Sequence, residues 1–323
     1  MFTKMLSFEW RFFTRQPSFI VTMLIFFLLP FLSVILDNLQ IGSGGNVNFN
    51  SPYSIALTML ILGFFGMFLV VNFVANTAIR NDEMQMSEIL YTKPINPVTY
   101  QLGRFFGAYF VAVTVSAMVP LGLFLGSIMP GVDPERLGPI NVSAYIVPFF
   151  VFSMPTMFIL STIFYAAALR FRGMMAVYLF ALGIFVLYGV AGAVFSDPSQ
   201  RDMMAITDPF GIRAFFITTQ YWTPSERNAD IVMLTGNVLY NRVLWLGLGV
   251  IILLGLGRVF SPLSLPKKNL KKVKAGLSIG KPDNANISAS YTKGADLPQF
   301  ITRTLFEIKQ VALSPAFIIL LVI

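Results

Sequence analysis

The sequence predicts an all-α polytopic membrane protein: a six-helix transmembrane unit with an N-terminal interfacial helix, followed by the start of a second repeat. Of its 323 residues, 56% are apolar and only 12% charged, against about 25% charged in soluble domains. Apolar runs of 18 to 26 residues recur, and at 1.5 Å per residue each can cross roughly 30 Å of hydrocarbon. The cations between those runs collect on alternate connections.

Residues 1–15 place Phe2, Met5, Leu6, Trp10 and Phe13 near a helical period, with Lys4, Arg11 and Arg15 on another face. That is the pattern of a helix in the membrane interface, its cations and Trp10 among lipid headgroups; the plainer alternative is a basic leader ahead of an anchor. A cleavable signal is disfavoured, because the next apolar run is too long and no small-x-small site follows it. The spans are expected at about 18–36, 54–79, 105–129, 144–169, 174–195 and 243–260.

Within the second span, Asn72 and Asn76 lie four apart; they can line a polar path or, more commonly, hydrogen-bond between helices. In the third span Pro120 is placed to kink the helix. Gly103/Gly107 and Gly122/Gly126 match the small-xxx-small spacing of closely packed helices. The fourth span holds Pro148 and Pro155. A long loop, 196–242, carries DPFG at 208–211 and YWTPSERN at 221–228, and Trp245 follows at a belt position. Residues 261–303 form a basic, Gly/Asn/Ser-containing linker.

Charge sets the expected topology. With the N-terminus cytoplasmic and spans alternating, 18 of the 23 Lys and Arg fall on inner segments and each outer loop sums to −1. The positive-inside rule selects that orientation. The net charge of +8 then lies along a membrane face, where it meets anionic lipid, and gives no support to nucleic-acid binding.

Residues 8–20 recur at an offset of 298: Phe8, Glu9, Pro17, Phe19 and Ile20 match Phe306, Glu307, Pro315, Phe317 and Ile318. Residues 304–323 therefore read as the start of a second copy of the six-span unit, expected to continue in a longer protein.

The chain has no Cys and no His, which excludes the usual zinc, haem and Ser-His-Asp chemistries within it. The nearest approach to a phosphate loop, Gly276 to Pro282, is one residue short and has Pro in the Ser/Thr place. Any nucleotide chemistry therefore belongs to another chain. No carboxylate falls inside an expected span, which argues against a proton-coupled carrier.

The segment Arg80–Arg104 carries six charged residues between two uncharged spans. Asn81 can cap a helix with Asp82 and Glu83 in its first turn. Met86, Ile89 and Leu90 make one stripe, Glu88 flanks it, and Pro94 ends it. Such a helix can lie on a membrane, dock into a soluble partner, or serve only as a connector.

SEILYTKPINPVTYQLGR, at 87–104, resembles the permeases of type-2 ABC exporters, with Glu88, Leu90, Pro94, Ile95, Asn96 and Arg104 at the places of the family pattern. The resemblance spans about residues 1–260. It implies a transport function in a prokaryotic inner membrane, a separate ATPase subunit that uses the ATP, and a second permease half, internal or from another copy. It implies no cofactor on this chain. By the resemblance Asp82, Glu83, Glu88, Ile89, Leu90, Tyr91 and Pro94 would couple to that ATPase. A narrower resemblance, carried by DPFG, YWTPSERN and NRVLW at 241–245, is to permease units fused ahead of a zinc aminopeptidase. The peptidase motif H-E-x-x-H is absent from these residues.

Overall fold

Proline marks where the long helices begin. Pro17, Pro52 and Pro97 each occupy a first-turn position, where the missing N–H costs nothing and the fixed φ suits a helix. The preceding residue often caps: Ser51 accepts from the Ser54 N–H, and Asn96 from the N–H groups of Val98 and Thr99. In this computed structural model the described residues are 1–36, 39, 41–84, 96–194, 200–259, 302, 305 and 306.

The chain divides into two units, Met1–Ser261 and Pro262–Ile323. In the second, Thr302, Leu305 and Phe306 are helical and exposed. Everything that follows concerns the first, which is all α among its described residues.

Helix α1 (Phe2–Thr14) precedes the first span, α2 (Pro17–Ile35). The second span is α3 (Pro52–Val70), a π-helical turn at Val71–Ala75, and α4 (Asn76–Glu83). The third joins α5 (Pro97–Ser116) to α6 (Met118–Ser127). The fourth runs from α7 (Val142–Pro148) through a π turn at Phe149–Ser153 into α8 (Met154–Phe171). The apolar α9 (Met174–Val194) follows. Short helices α10 (Arg201–Thr207), α11 (Ile212–Thr219) and α12 (Pro224–Ala229) lead to α13 (Gly236–Val259). Five stretches, 17–35, 52–81, 98–127, 142–171 and 236–256, are long and apolar enough to cross a membrane. The protein is a multi-pass membrane protein.

Local breaks follow from backbone chemistry. The third span is interrupted at Ala117, directly after Ser116, whose carbonyl the Pro120 ring would meet in an unbroken helix. Pro148 and Pro155 bracket the π turn of the fourth span, where the regular i→i−4 ladder loses two donors.

Packing follows the small residues. Helix α1 lies along α5 and α2 along α6. A Cβ on Gly103 would stand 2.8 Å from Met5 Cβ, and one on Gly107 2.7 Å from Glu9 Cβ. Gly122 and Gly126 meet the backbone of α2 at Phe27 and Phe31. Both small-xxx-small pairs thus seat helices of this same chain. The second span is the centre of the bundle, with Met67, Phe73, Val74 and Ile79 fully buried. Ile20, Leu24 and Leu28 on α2, and Ile251 and Leu254 on α13, face outward; a bilayer is the solvent that tolerates such faces.

Three expectations change. The third span begins at Pro97 rather than 105, and the sixth at Gly236 rather than 243. Residues 200–229 are largely helical instead of loop. The stripe of α1 rests on α5 rather than on lipid, with Glu9 in the packed face and Trp10 exposed.

Candidate functional site

Three elements meet where the second and third spans approach their connection, and each brings a charge. Glu9 on α1 is 1% exposed, Arg80 on α4 is 7%, and Arg104 on α5 is 1%. Glu9 Oε1 accepts from Arg80 Nη2 at 2.6 Å and from Arg104 Nε at 3.2 Å. The second arm of Arg104 donates to the Thr77 carbonyl, and its guanidinium lies 5.4 Å from the Tyr100 ring. Arg80 sits 4.1 Å over Phe12, a cation–π contact strengthened by exclusion from water. Around this core, Asn81 donates to the Tyr100 hydroxyl at 2.8 Å, and Tyr165 donates to the Gln101 side-chain carbonyl.

The helical period explains why Glu9 arrives there. It lies three residues after Leu6 and four before Phe13, inside the face that α5 covers. Two arginines and one glutamate leave one formal positive charge. Buried charges persist only when paired and hydrogen-bonded. The arrangement has the geometry of a clamp. It fixes α1 to the last turns of α4 and the first turns of α5, so both ends of the 84–96 connection are tied to one rigid body.

This corrects the reading of Arg80–Arg104 as one charged connector. Arg80, Asn81, Tyr100 and Arg104 belong to the helices that flank it, and Asn81 stands inside α4 rather than capping a helix. Glu83 is exposed at the end of α4. Asp82 is helical, its side chain outside the description, and Glu88, Ile89, Leu90, Tyr91 and Pro94 lie outside the described residues. Lys4, Trp10 and Arg11 are exposed on α1, and Arg15 is exposed just past its end. Asn72 and Asn76 are half-buried, in and just after the π turn of the second span.

The opposite end of the bundle holds a second polar assembly. Asp208 makes an Asx turn, its Oδ1 accepting from the Phe210 N–H at 2.9 Å and its Oδ2 from the Arg213 N–H at 2.8 Å. Asn241 donates to the carbonyls of Ala205 and Asp208, both at 2.7 Å. Arg242 donates to the Phe210 carbonyl at 2.7 Å and to Thr156 Oγ1 at 3.0 Å. Trp245 Nε1 reaches the Ile206 carbonyl at 3.2 Å. Burial raises the Asp208 carboxyl above the usual range, and the N–H groups of Arg213 and Phe210 oppose that. Thr223 and Glu226 form a capping box on α12. Asn228 accepts from the Asn48 N–H at 2.9 Å and donates to the Asn46 carbonyl at 2.9 Å. DPFG, YWTPSERN and the start of α13 thus build one cap that also binds the 41–51 loop.

The sequence pattern missed Glu9, Arg242 and Asp208 as structural centres. For Glu9 a signal was present: a lone carboxylate on the packed face of an otherwise basic helix. Among the described residues there is no cluster of acidic side chains suited to a metal ion. No protein-family model matches the chain, and no curated protein matches it.

Proposed function

We propose that this chain is the permease component of an ATP-driven exporter of the type-2 ABC kind. Its 84–96 connection, including Glu88, Ile89 and Leu90, docks a separate ATPase subunit. The observation that carries the reading is the Glu9–Arg80–Arg104 clamp. A connector that only links two helices needs no buried ion cluster at its ends, whereas one that receives force needs ends that do not fray. The π turns within the second and fourth spans supply positions where such a force can be absorbed, since π turns often mark functional sites. In this reading the clamp faces the cytoplasm of a prokaryotic cell, as the positive-inside count favours. A second six-span half completes the path, and ATP is used by the partner.

The cap favours a second reading alongside the first. The three sequence stretches that resemble aminopeptidase-fused permeases converge on one assembly at the far end, which supports the narrower relationship. The chain would then be the membrane portion of a larger enzyme.

Co-purification from native membranes tests the proposal. The chain should bring down an ATPase subunit, and Glu88→Arg with Leu90→Asp should abolish the complex while α-helicity is kept. A complex unchanged by that pair, or transport that survives ATP depletion but stops with an uncoupler, would refute it.

A further inference from the structure

A cavity of about 520 Å³ opens between α8, α9 and the cap, a volume within the range of about 300–1,000 Å³ typical of ligand sites. Its two ends differ in chemistry. One wall is Ile163, Phe180, Ile184 and Leu187, all on helices that lie among the spans. Phe180 to Leu187 covers seven residues of α9, about 10 Å of rise. Leu187 is 67% exposed, so the wall is open sideways to the hydrocarbon. At the cap end stand Asp208, Arg213 and Trp245.

The charges at that end are not equivalent. Both Asp208 oxygens already accept from backbone N–H groups, and Oδ2 also receives the Tyr188 hydroxyl at 3.4 Å. Arg242 is turned away into its bonds with Phe210 and Thr156. The Arg213 guanidinium, 5.6 Å from the Tyr188 ring and interacting with the Tyr188 hydroxyl and with Asp208, lines the same end of the cavity. We propose that this cavity binds the acyl tail of an anionic amphiphile that enters from the bilayer, with its carboxylate or phosphate headgroup at Arg213. The apolar wall selects a tail, the lateral opening gives access from lipid, and the guanidinium selects the anion. The site stands whether or not an ATPase docks at the other end.

Trp245 lines the cavity and reports its occupancy. In the full chain carrying Trp10→Phe and Trp222→Phe it is the one tryptophan left of three. Dibromostearate, titrated into the protein in phosphatidylcholine nanodiscs, should quench it saturably. Its uncharged methyl ester should need about a tenfold higher concentration, and Arg213→Gln should raise the half-saturating acid concentration about tenfold while leaving the ester unchanged. Ile184→Phe, which narrows the cavity and spares the cation, should remove the saturable part. Brominated phosphatidylglycerol compared with brominated phosphatidylcholine tells a phospholipid source from a free fatty acid. Linear quenching, equal for acid and ester and indifferent to Arg213→Gln and Ile184→Phe, would reduce the effect to general lipid contact and overturn the proposal.

Discussion

Glu9 and Arg80 stand 71 positions apart in sequence and 2.6 Å apart in space, both shielded from water. The contact decides how the N-terminal helix is held, because no other carboxylate faces Arg80 and Arg104 among the described ion pairs.

Removing that carboxylate should be severe. Glu9→Gln leaves two guanidinium groups buried with only neutral acceptors, and breaking a buried pair this way costs about 3–5 kcal/mol. Thermal unfolding in detergent should show the loss. Glu9→Gln combined with Arg80→Met should cost less than the sum of the single changes, because the second removes the charge the first has stranded. Strict additivity would show that the two residues do not act as a pair.

The glycines of α5 make a steric prediction. Gly107→Val drives its side chain into Glu9 and Leu6 and should cost about 1–3 kcal/mol by overpacking. Gly255→Val, with nothing within 4 Å of a new Cβ, should be close to neutral in the same melting experiment.

Gly211 carries two constraints at once. Its φ is +77°, and the Arg242 guanidinium occupies the space a Cβ would need. Gly45 shares only the first, with φ +63° and open space around it. Gly45→Ala should therefore lose about 1–2 kcal/mol from the left-handed backbone. Gly211→Ala should lose clearly more and weaken the hold of Arg242 on the Phe210 carbonyl. Equal losses would place the constraint in the backbone alone.

The capping box of α12 predicts a pH response. Hydrogen bonds from the Thr223 backbone N–H and hydroxyl lower the Glu226 carboxyl below its usual range. A depressed folded-state value means the cap contributes above the unfolded-state value and fades as pH falls through the folded one. The protection of the Thr223 amide, taken relative to its intrinsic exchange rate, should hold at neutral pH and fall on acidification, over a range lower than that of an unperturbed Glu. Glu226→Gln should remove that acid-side step; an unchanged step would assign it to another group.

Much of the fold was legible because bilayer chemistry is blunt. Uncharged runs of about twenty residues and paired glycines each have one main structural meaning in lipid. The helix ends were less legible. Arg80 and Arg104 look like the borders of an apolar span, since a charge normally ends one, and only a carboxylate far away in sequence lets both helices carry them inward. The 196–242 region offered no period to read. Of its helices of six to eight residues, α10 and the turn into α11 are held by Asn241 and Arg242 from the next span, and α12 by Asn228 on the 41–51 loop.

Site-specific photocross-linking at Leu90 tests the central claim most directly. A benzoylphenylalanine there, in cells containing the neighbouring ATPase, should give one dominant adduct with that ATPase. The same group at Met233, exposed on the cap, should give none. Absence of the ATPase adduct at Leu90, or its appearance from both positions, would contradict the account.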